Sequence, residues 1–201
     1  MKLAVVAGEA SGDLHAAEVI AELKKLDPSL ETFGIGGDLL QKQGMTILYH
    51  AREMGIVGLF NVIRHLGMFR RIFRELLARI ERERPDAVLL VDYPDFNLRL
   101  AKRCKAMGLR VVYYISPQIW AWRRGRVKQI AKNVDHMIVI FPFEEEFYRA
   151  HGVPVTYVGH PLIDELVRSE HVGSDAQFRR SEIGGLTPQA AHAAPTELLG
   201  V

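Results

Sequence analysis

Short apolar runs alternate along this chain with stretches of helical period. Residues 3–7, 32–35, 87–91, 110–115, 136–141 and 155–158 are largely apolar, the pattern of strands buried on both faces, and a weaker run lies at 46–49. Between them come predicted helices. Residues 13–26 carry Leu14, Ala17, Ile20, Ala21 and Leu23 on one side and stop at Asp27-Pro28. Residues 38–43 follow Gly36-Gly37, residues 61–84 end at Pro85, and residues 98–107 end at Gly108, a C-terminal cap. Residues 124–132 and 144–151 complete the set. The alternation predicts an α/β fold, a doubly wound parallel sheet with right-handed crossovers. No internal repeat is visible. From Ser169 to Val201 the pattern fades, and residues 187–195 are rich in Ala and Pro, so weak order is expected there.

The length of 201 residues suits one domain plus a tail, and 48% apolar content excludes wholesale disorder. A net charge of +2 argues for no partner, nucleic acid included, but its distribution is uneven. Residues 61–84 hold seven arginines and three glutamates, a local excess of 7 − 3 = +4. Cys104 is the only cysteine, so no internal disulfide forms, which fits a reducing compartment. The first seven residues are too short for a signal peptide's apolar region and read as a strand. No run reaches the ~20 apolar residues of a spanning helix. A cytoplasmic protein is expected, free to lie against a membrane.

The candidate chemistry starts with Asp92-Tyr93-Pro94-Asp95-Phe96-Asn97, just past the run Ala87-Val88-Leu89-Leu90-Val91. Open α/β sheets bind ligands beyond the C-terminal ends of their strands. Asp92 is therefore a candidate general base, able to take a proton from a substrate hydroxyl, and partial desolvation would raise its proton affinity to suit. The plainer alternative is a turn residue bonding backbone amides. Asp95 is expected to cap the next helix, and Asn97 is a candidate substrate contact.

Gly8-Glu9-Ala10-Ser11-Gly12-Asp13 joins the first strand to the first helix and should lie on the same sheet edge. Such a turn can offer backbone N–H groups and a helix N-terminus to an anionic or polyhydroxyl ligand. It is neither G-x-G-x-x-G nor a P-loop. Alternatively it is a glycine turn with Ser11 as the helix cap. Ser116-Pro117-Gln118-Ile119-Trp120-Ala121-Trp122-Arg123-Arg124 follows another strand. Gln118, Trp120 and Arg123 suit sugar stacking or phosphate pairing, while tryptophans can equally pack to fix the loop. His160, in Gly159-His160-Pro161, is a candidate contact beside the commoner structural reading. The histidines lack metal-ligand spacing, so no metal or cofactor is indicated.

Gly55-Ile56-Val57-Gly58-Leu59-Phe60 leads into the long helix. At about 100° per residue, Val62, Leu66, Phe69, Phe73, Leu76 and Ile80 share one side, with Arg64, Arg71, Arg74, Arg79 and Arg82 opposite or flanking. Such a helix can lie at an anionic bilayer surface or pack on a core with its arginines in water. Ile56, Val57, Leu59 and Phe60 are candidates for acyl-chain or membrane contact.

Five segments in order resemble the bacterial lipid-A-disaccharide synthase family over roughly residues 1–168. They are Val6 to Asp13, Met54-Gly55-Ile56-Val57-Gly58, Asp92 to Asn97, Ser116 to Arg123, and Phe141-Pro142-Phe143-Glu144 followed by Val158-Gly159-His160-Pro161. The resemblance implies the Rossmann-like N-terminal domain of a two-domain, GT-B type, inverting and metal-independent glycosyltransferase. It implies transfer from UDP-2,3-diacylglucosamine to 2,3-diacylglucosamine 1-phosphate, giving UDP and the acylated disaccharide 1-phosphate, a lipid A precursor. Asp92 matches the family's proposed catalytic aspartate. A peripheral enzyme at the anionic inner face of the inner membrane is implied, with no cofactor and no stated oligomeric state. Family members are about twice as long, and their second, UDP-sugar domain has no counterpart after Arg168. The expectation is a truncated form, with residues 169–201 a tail outside the resemblance. Two alternatives stand beside it: a different UDP-sugar transferase or epimerase, and a non-catalytic lipid- or membrane-binding half-domain.

Overall fold

The computed structural model describes residues 1–54, 62–117 and 124–163, and in the helix that begins at Val62 the side chains from Gly67 onward. Residues Met1–Pro161 form one compact unit, and the account below is of that unit.

Seven strands pair in the order β3-β2-β1-β4-β5-β6-β7, all parallel. They are β1 (Lys2–Ala7), β2 (Glu31–Gly36), β3 (Thr46–His50), β4 (Ala87–Val91), β5 (Arg110–Tyr114), β6 (His136–Val139) and β7 (Val155–Tyr157). The helices are α1 (Ala10–Leu26), α2 (Asp38–Lys42), α3 (Val62–Glu83), α4 (Pro94–Ala106), α5 (Val127–Asn133) and α6 (Pro142–Ala150). The chain winds outward from β1 to β3, then returns to the middle at β4 and winds the other way. The expected doubly wound sheet is therefore present, with its switch of direction between β1 and β4.

The apolar runs are central strands because both their faces are covered. On β4, Val88 and Leu90 belong to the core under α3, α4, α5 and α6, with Ile72, Leu76, Ile80, Leu100 and Tyr148. Leu89 and Val91 belong to the core under α1 and α2, with Ala16, Ala17, Ile20 and Leu40. Each fully buried aliphatic side chain contributes about 1.5–3 kcal/mol relative to exposure. On α3 the buried stripe is Ile72, Leu76 and Ile80, with Phe69, Phe73 and Leu77 partly covered. Arginines on its outer side pair along the helix, Arg71 with Glu75 at 2.7 Å and Arg79 with Glu83 at 3.0 Å.

Cys104 lies on the inner face of α4, and burial pushes its thiol up to about 12. At pH 8 only roughly one molecule in ten thousand carries the reactive thiolate. Iodoacetamide is expected to leave the folded chain unlabelled and to alkylate it promptly in urea, as read by mass spectrometry. Prompt labelling of the folded chain would show that α4 is not packed on the sheet.

Candidate active site

In the β1–β4 ladder Ala7 is the register partner of Val91, so Gly8 and Asp92 leave the sheet side by side at the switch point. Ligands of doubly wound sheets bind in the crevice there. The two turns interlock. A Cβ on Gly8 would stand 2.7 Å from Cδ1 of Tyr93, so only glycine admits the tyrosine ring.

Asp92 and Tyr93 both take left-handed backbone, with φ of 46° and 48°. For residues with a Cβ this costs roughly 1–2 kcal/mol each, and the conformation persists only where its surroundings enforce it. Several hydrogen bonds do so. The Asp92 N–H donates to the Tyr114 carbonyl at 3.0 Å. The Asp92 carbonyl accepts from the Tyr113 hydroxyl at 2.6 Å and from Asn97 Nδ2 at 2.7 Å. Asn97 Nδ2 also donates to the Val91 carbonyl at 3.2 Å. Each such bond contributes about 0.5–1.5 kcal/mol net, so together they offset the strain and any one alone does not.

Burial, and next the charge of Glu9, hold the Asp92 carboxyl above the usual carboxylate range, with a hydrogen bond from the Tyr93 N–H opposing them. The carboxyl is half-buried.

The other candidates fare differently. Glu9, exposed, is the N-cap residue of α1. Ser11 is exposed and lies inside that helix, so it is not the cap; the helix starts at Ala10 because Glu9 is the last extended residue. Gly12 is buried against Ala7 and Val91, where its lack of a side chain lets α1 approach β1 and β4. Asp13 is only 5% exposed. Its carboxylate accepts from the N–H groups of Gly37 at 2.6 Å, Leu39 at 3.0 Å and Leu40 at 3.2 Å, capping α2 from a neighbouring helix. The expected ligand contact is thus engaged in holding two elements together. Asn97 is fully buried and clamps the Asp92 turn from below. Asp95 does not cap α4, whose N-cap is Tyr93; it sits in the first turn and pairs with Arg126 at 2.8 Å. The helix starts at Pro94, four residues ahead of expectation, because proline suits a first helical position. His160 stacks near Phe141, ring centroids 5.4 Å apart, on the edge beyond β7. Gln118, Trp120 and Arg123, and Ile56, Val57, Leu59 and Phe60, lie outside the described residues.

Two side chains at this edge have roles that the sequence reading did not assign. Tyr113 looked like one more apolar strand residue, although a buried tyrosine hydroxyl usually finds a partner. Glu144, 1% exposed, accepts from the Ser116 hydroxyl and from the Phe141 N–H, and so anchors the end of β5 to the start of α6. Among the described residues no group of three or more His, Cys, Asp or Glu side chains could hold a metal ion, and no helix is long and apolar enough to cross a membrane.

A family model described as lipid-A-disaccharide synthetase matches residues 3–181. The chain belongs to that family. Similar members include the lipid-A-disaccharide synthase of Geobacter sulfurreducens, 50% identical over 165 residues, covering 82% of this chain and 43% of the relative. That of Trichlorobacter lovleyi is 43% identical over 202 residues, covering 98% and 53%. The chain spans about half the length of the curated relatives it matches. The family match runs past Arg168, so the resemblance extends beyond the boundary expected from motifs alone. Among solved structures the chain resembles UDP-GlcNAc 2-epimerase of Neisseria meningitidis, bound to UDP-GlcNAc (TM-score 0.62, 15% identity, 90% of this chain and 52% of that one). It also resembles MurG of Acinetobacter baumannii (TM-score 0.50, 10% identity, 79% and 45%). These likenesses are of fold, the Rossmann-like domain of the GT-B type.

Proposed function

We propose that this chain supplies the acceptor-side half of a lipid-A-disaccharide synthase. Asp92 takes the proton from the 6-hydroxyl of 2,3-diacylglucosamine 1-phosphate as that oxygen attacks the anomeric carbon of UDP-2,3-diacylglucosamine. The new C–O bond forms opposite the breaking one, whose electron pair leaves on UDP. The observation that carries this reading is the switch-point position of Asp92, on a strained turn, with its proton affinity raised by burial and Glu9. A general base works best with a proton affinity lifted toward the operating pH. Glu9 and the exposed start of α1 are on hand for sugar hydroxyls. The UDP-sugar site is assigned to a second domain of the kind the longer relatives have room for.

The substrates of this reading are amphiphiles, and one cleft suits them. It has a volume of about 520 Å³ and is lined by Gly67, Phe69, Arg70, Phe73 and Arg74 of α3 and by Arg99 of α4. Phe69 and Phe73 meet Phe96 edge-on at 5.1 and 5.4 Å, which links the cleft to the first turn after Asp92. Aromatic walls suit acyl chains, and three guanidinium groups suit phosphates or an anionic, cytoplasm-facing membrane surface.

The test pairs two assays. Purified chain, alone and with a separately expressed C-terminal half of the Geobacter sulfurreducens relative, receives both diacyl sugars and is followed for UDP release. Release is expected once the second half is added; none under either condition overturns the reading. Co-sedimentation with vesicles of anionic phospholipid is expected too. At ~1 kcal/mol per basic residue near the surface, replacing Arg70 and Arg74 by glutamine should weaken it roughly thirtyfold. Vesicle binding without UDP release would favour the non-catalytic lipid-binding module.

A further inference from the structure

We infer that Tyr113 is a positioning residue for Asp92, fixing the direction of its carboxyl through the main chain. The inference rests on the reading of Asp92 as the base, but the contacts that carry it are independent of any substrate. Tyr113 lies on β5 in register with Leu90, two residues before Asp92, and is fully buried. Its hydroxyl reaches past the end of β4 to the Asp92 carbonyl at 2.6 Å. The same carbonyl takes the Asn97 amide at 2.7 Å, so both its acceptor sites are filled. The next residue of β5, Tyr114, accepts the Asp92 N–H at 3.0 Å. One neighbouring strand thus grips both polar groups of the Asp92 backbone.

The effect of this grip follows from the backbone geometry. With φ held at 46°, the Cα–Cβ bond of Asp92 has one direction, and the carboxyl keeps only its own rotation. Without the grip, a non-glycine residue relaxes toward negative φ and swings the carboxyl away. The phenol is suited to a permanent donor's task. Burial, and next the Asp92 charge, hold it well above its ordinary value, so it stays protonated wherever the protein is folded. Glu9 is the charged group facing the Asp92 carboxyl, and it stands on β1's turn, untouched by a change at β5.

The test compares two equal truncations in one core. Tyr113→Phe removes the hydroxyl that holds Asp92; Tyr148→Phe removes another buried hydroxyl, one with no hydrogen bond to Asp92. The Asp92 carboxyl of each variant, in the whole chain, is titrated by ¹³C NMR. In Tyr113→Phe its proton affinity should fall toward the ordinary carboxylate value as the freed turn carries it to water, while Tyr148→Phe leaves it where it was. Equal titration in both variants, moved or unmoved, overturns the inference. Where UDP release is measurable, Tyr113→Phe should lower kcat roughly ten- to hundredfold with KM little changed, as misplacement of a reacting group does. The titration decides the inference even if no turnover is found, so it does not stand or fall with the transferase reading. Should Tyr113→Phe fail to fold, Asn97→Ala withdraws the other donor from the same carbonyl, with the same expected fall and the same overturning result.

Discussion

Asp92→Asn is expected to lower UDP release, measured with the donor half supplied, by roughly 10²–10⁴-fold, the range a positioned general base contributes. Asparagine keeps the size and the left-handed tolerance of aspartate, so the turn and its bonds to Tyr113, Tyr114 and Asn97 survive. What it loses is the ability to accept a proton. The same variant carries its own control, because the raised proton affinity of Asp92 is also a statement about stability. The folded chain holds this proton more tightly than the unfolded chain. Between the ordinary carboxylate value and the raised one, the folded state therefore binds more protons, and stability falls as pH rises through that window. Above it the penalty of a charged, half-buried carboxylate is present in full. Asp92→Asn has no such penalty. Its Tm relative to the parent should accordingly be higher at pH 7 than at pH 3, where both carry a neutral group. Turnover within tenfold of the parent would remove Asp92 from the base role; a Tm that drops at pH 7 would mean that the loss of activity is a loss of fold.

Much of this was legible because strand and turn are local matters. The run from Ala87 to Val91 reads as a strand covered on both faces, which puts the first polar residue after it at the sheet's C-terminal edge. Gly8 and Asp92 were expected on one edge for the same reason, and the register of Ala7 with Val91 puts them side by side. The contents of the edge were less legible, because they depend on partners distant in sequence. The start of α4 was expected at residue 98, after Pro94-Asp95-Phe96-Asn97. The structure begins it at Pro94, a residue suited to a first helical position, directly after the left-handed pair Asp92 and Tyr93, and the grip of β5 on the Asp92 backbone is what no local rule registers. Tyr113 was hidden by its own strand: in an apolar run, a tyrosine's ring is visible and the destination of its hydroxyl is not. The basic face of α3 was legible as charge, but the cleft it shares with Arg99 required knowing that α4 lies beside it.

Asp13→Ala is expected to cost about 3–5 kcal/mol of stability, the range for stripping partners from a buried charged network. That is a large share of the roughly 5–15 kcal/mol by which a domain is stable, and corresponds to a fall in Tm of about 6–20 °C. The reason lies in how α2 begins. Its N-cap is Gly37, which has no side chain to receive the free N–H groups of the first turn. Nor could it have one: a Cβ there would stand 2.5 Å from Asp13 Oδ2. The carboxylate of Asp13 occupies that space and takes the N–H groups of Gly37, Leu39 and Leu40, uniting α1 with α2 across 24 to 27 residues of sequence. Alanine leaves two buried donors and one half-buried donor without an acceptor, and a cavity between the helices. Asp13→Asn should fall between parent and alanine, since its Oδ1 can still serve Gly37 and Leu40 while its amide faces the Leu39 N–H, donor against donor. Urea unfolding of the three proteins measures the order. If Asp13→Ala unfolds within 1 kcal/mol of the parent yet abolishes UDP release, Asp13 is a ligand after all, and the turn expected from the sequence to meet substrate does so at its last residue.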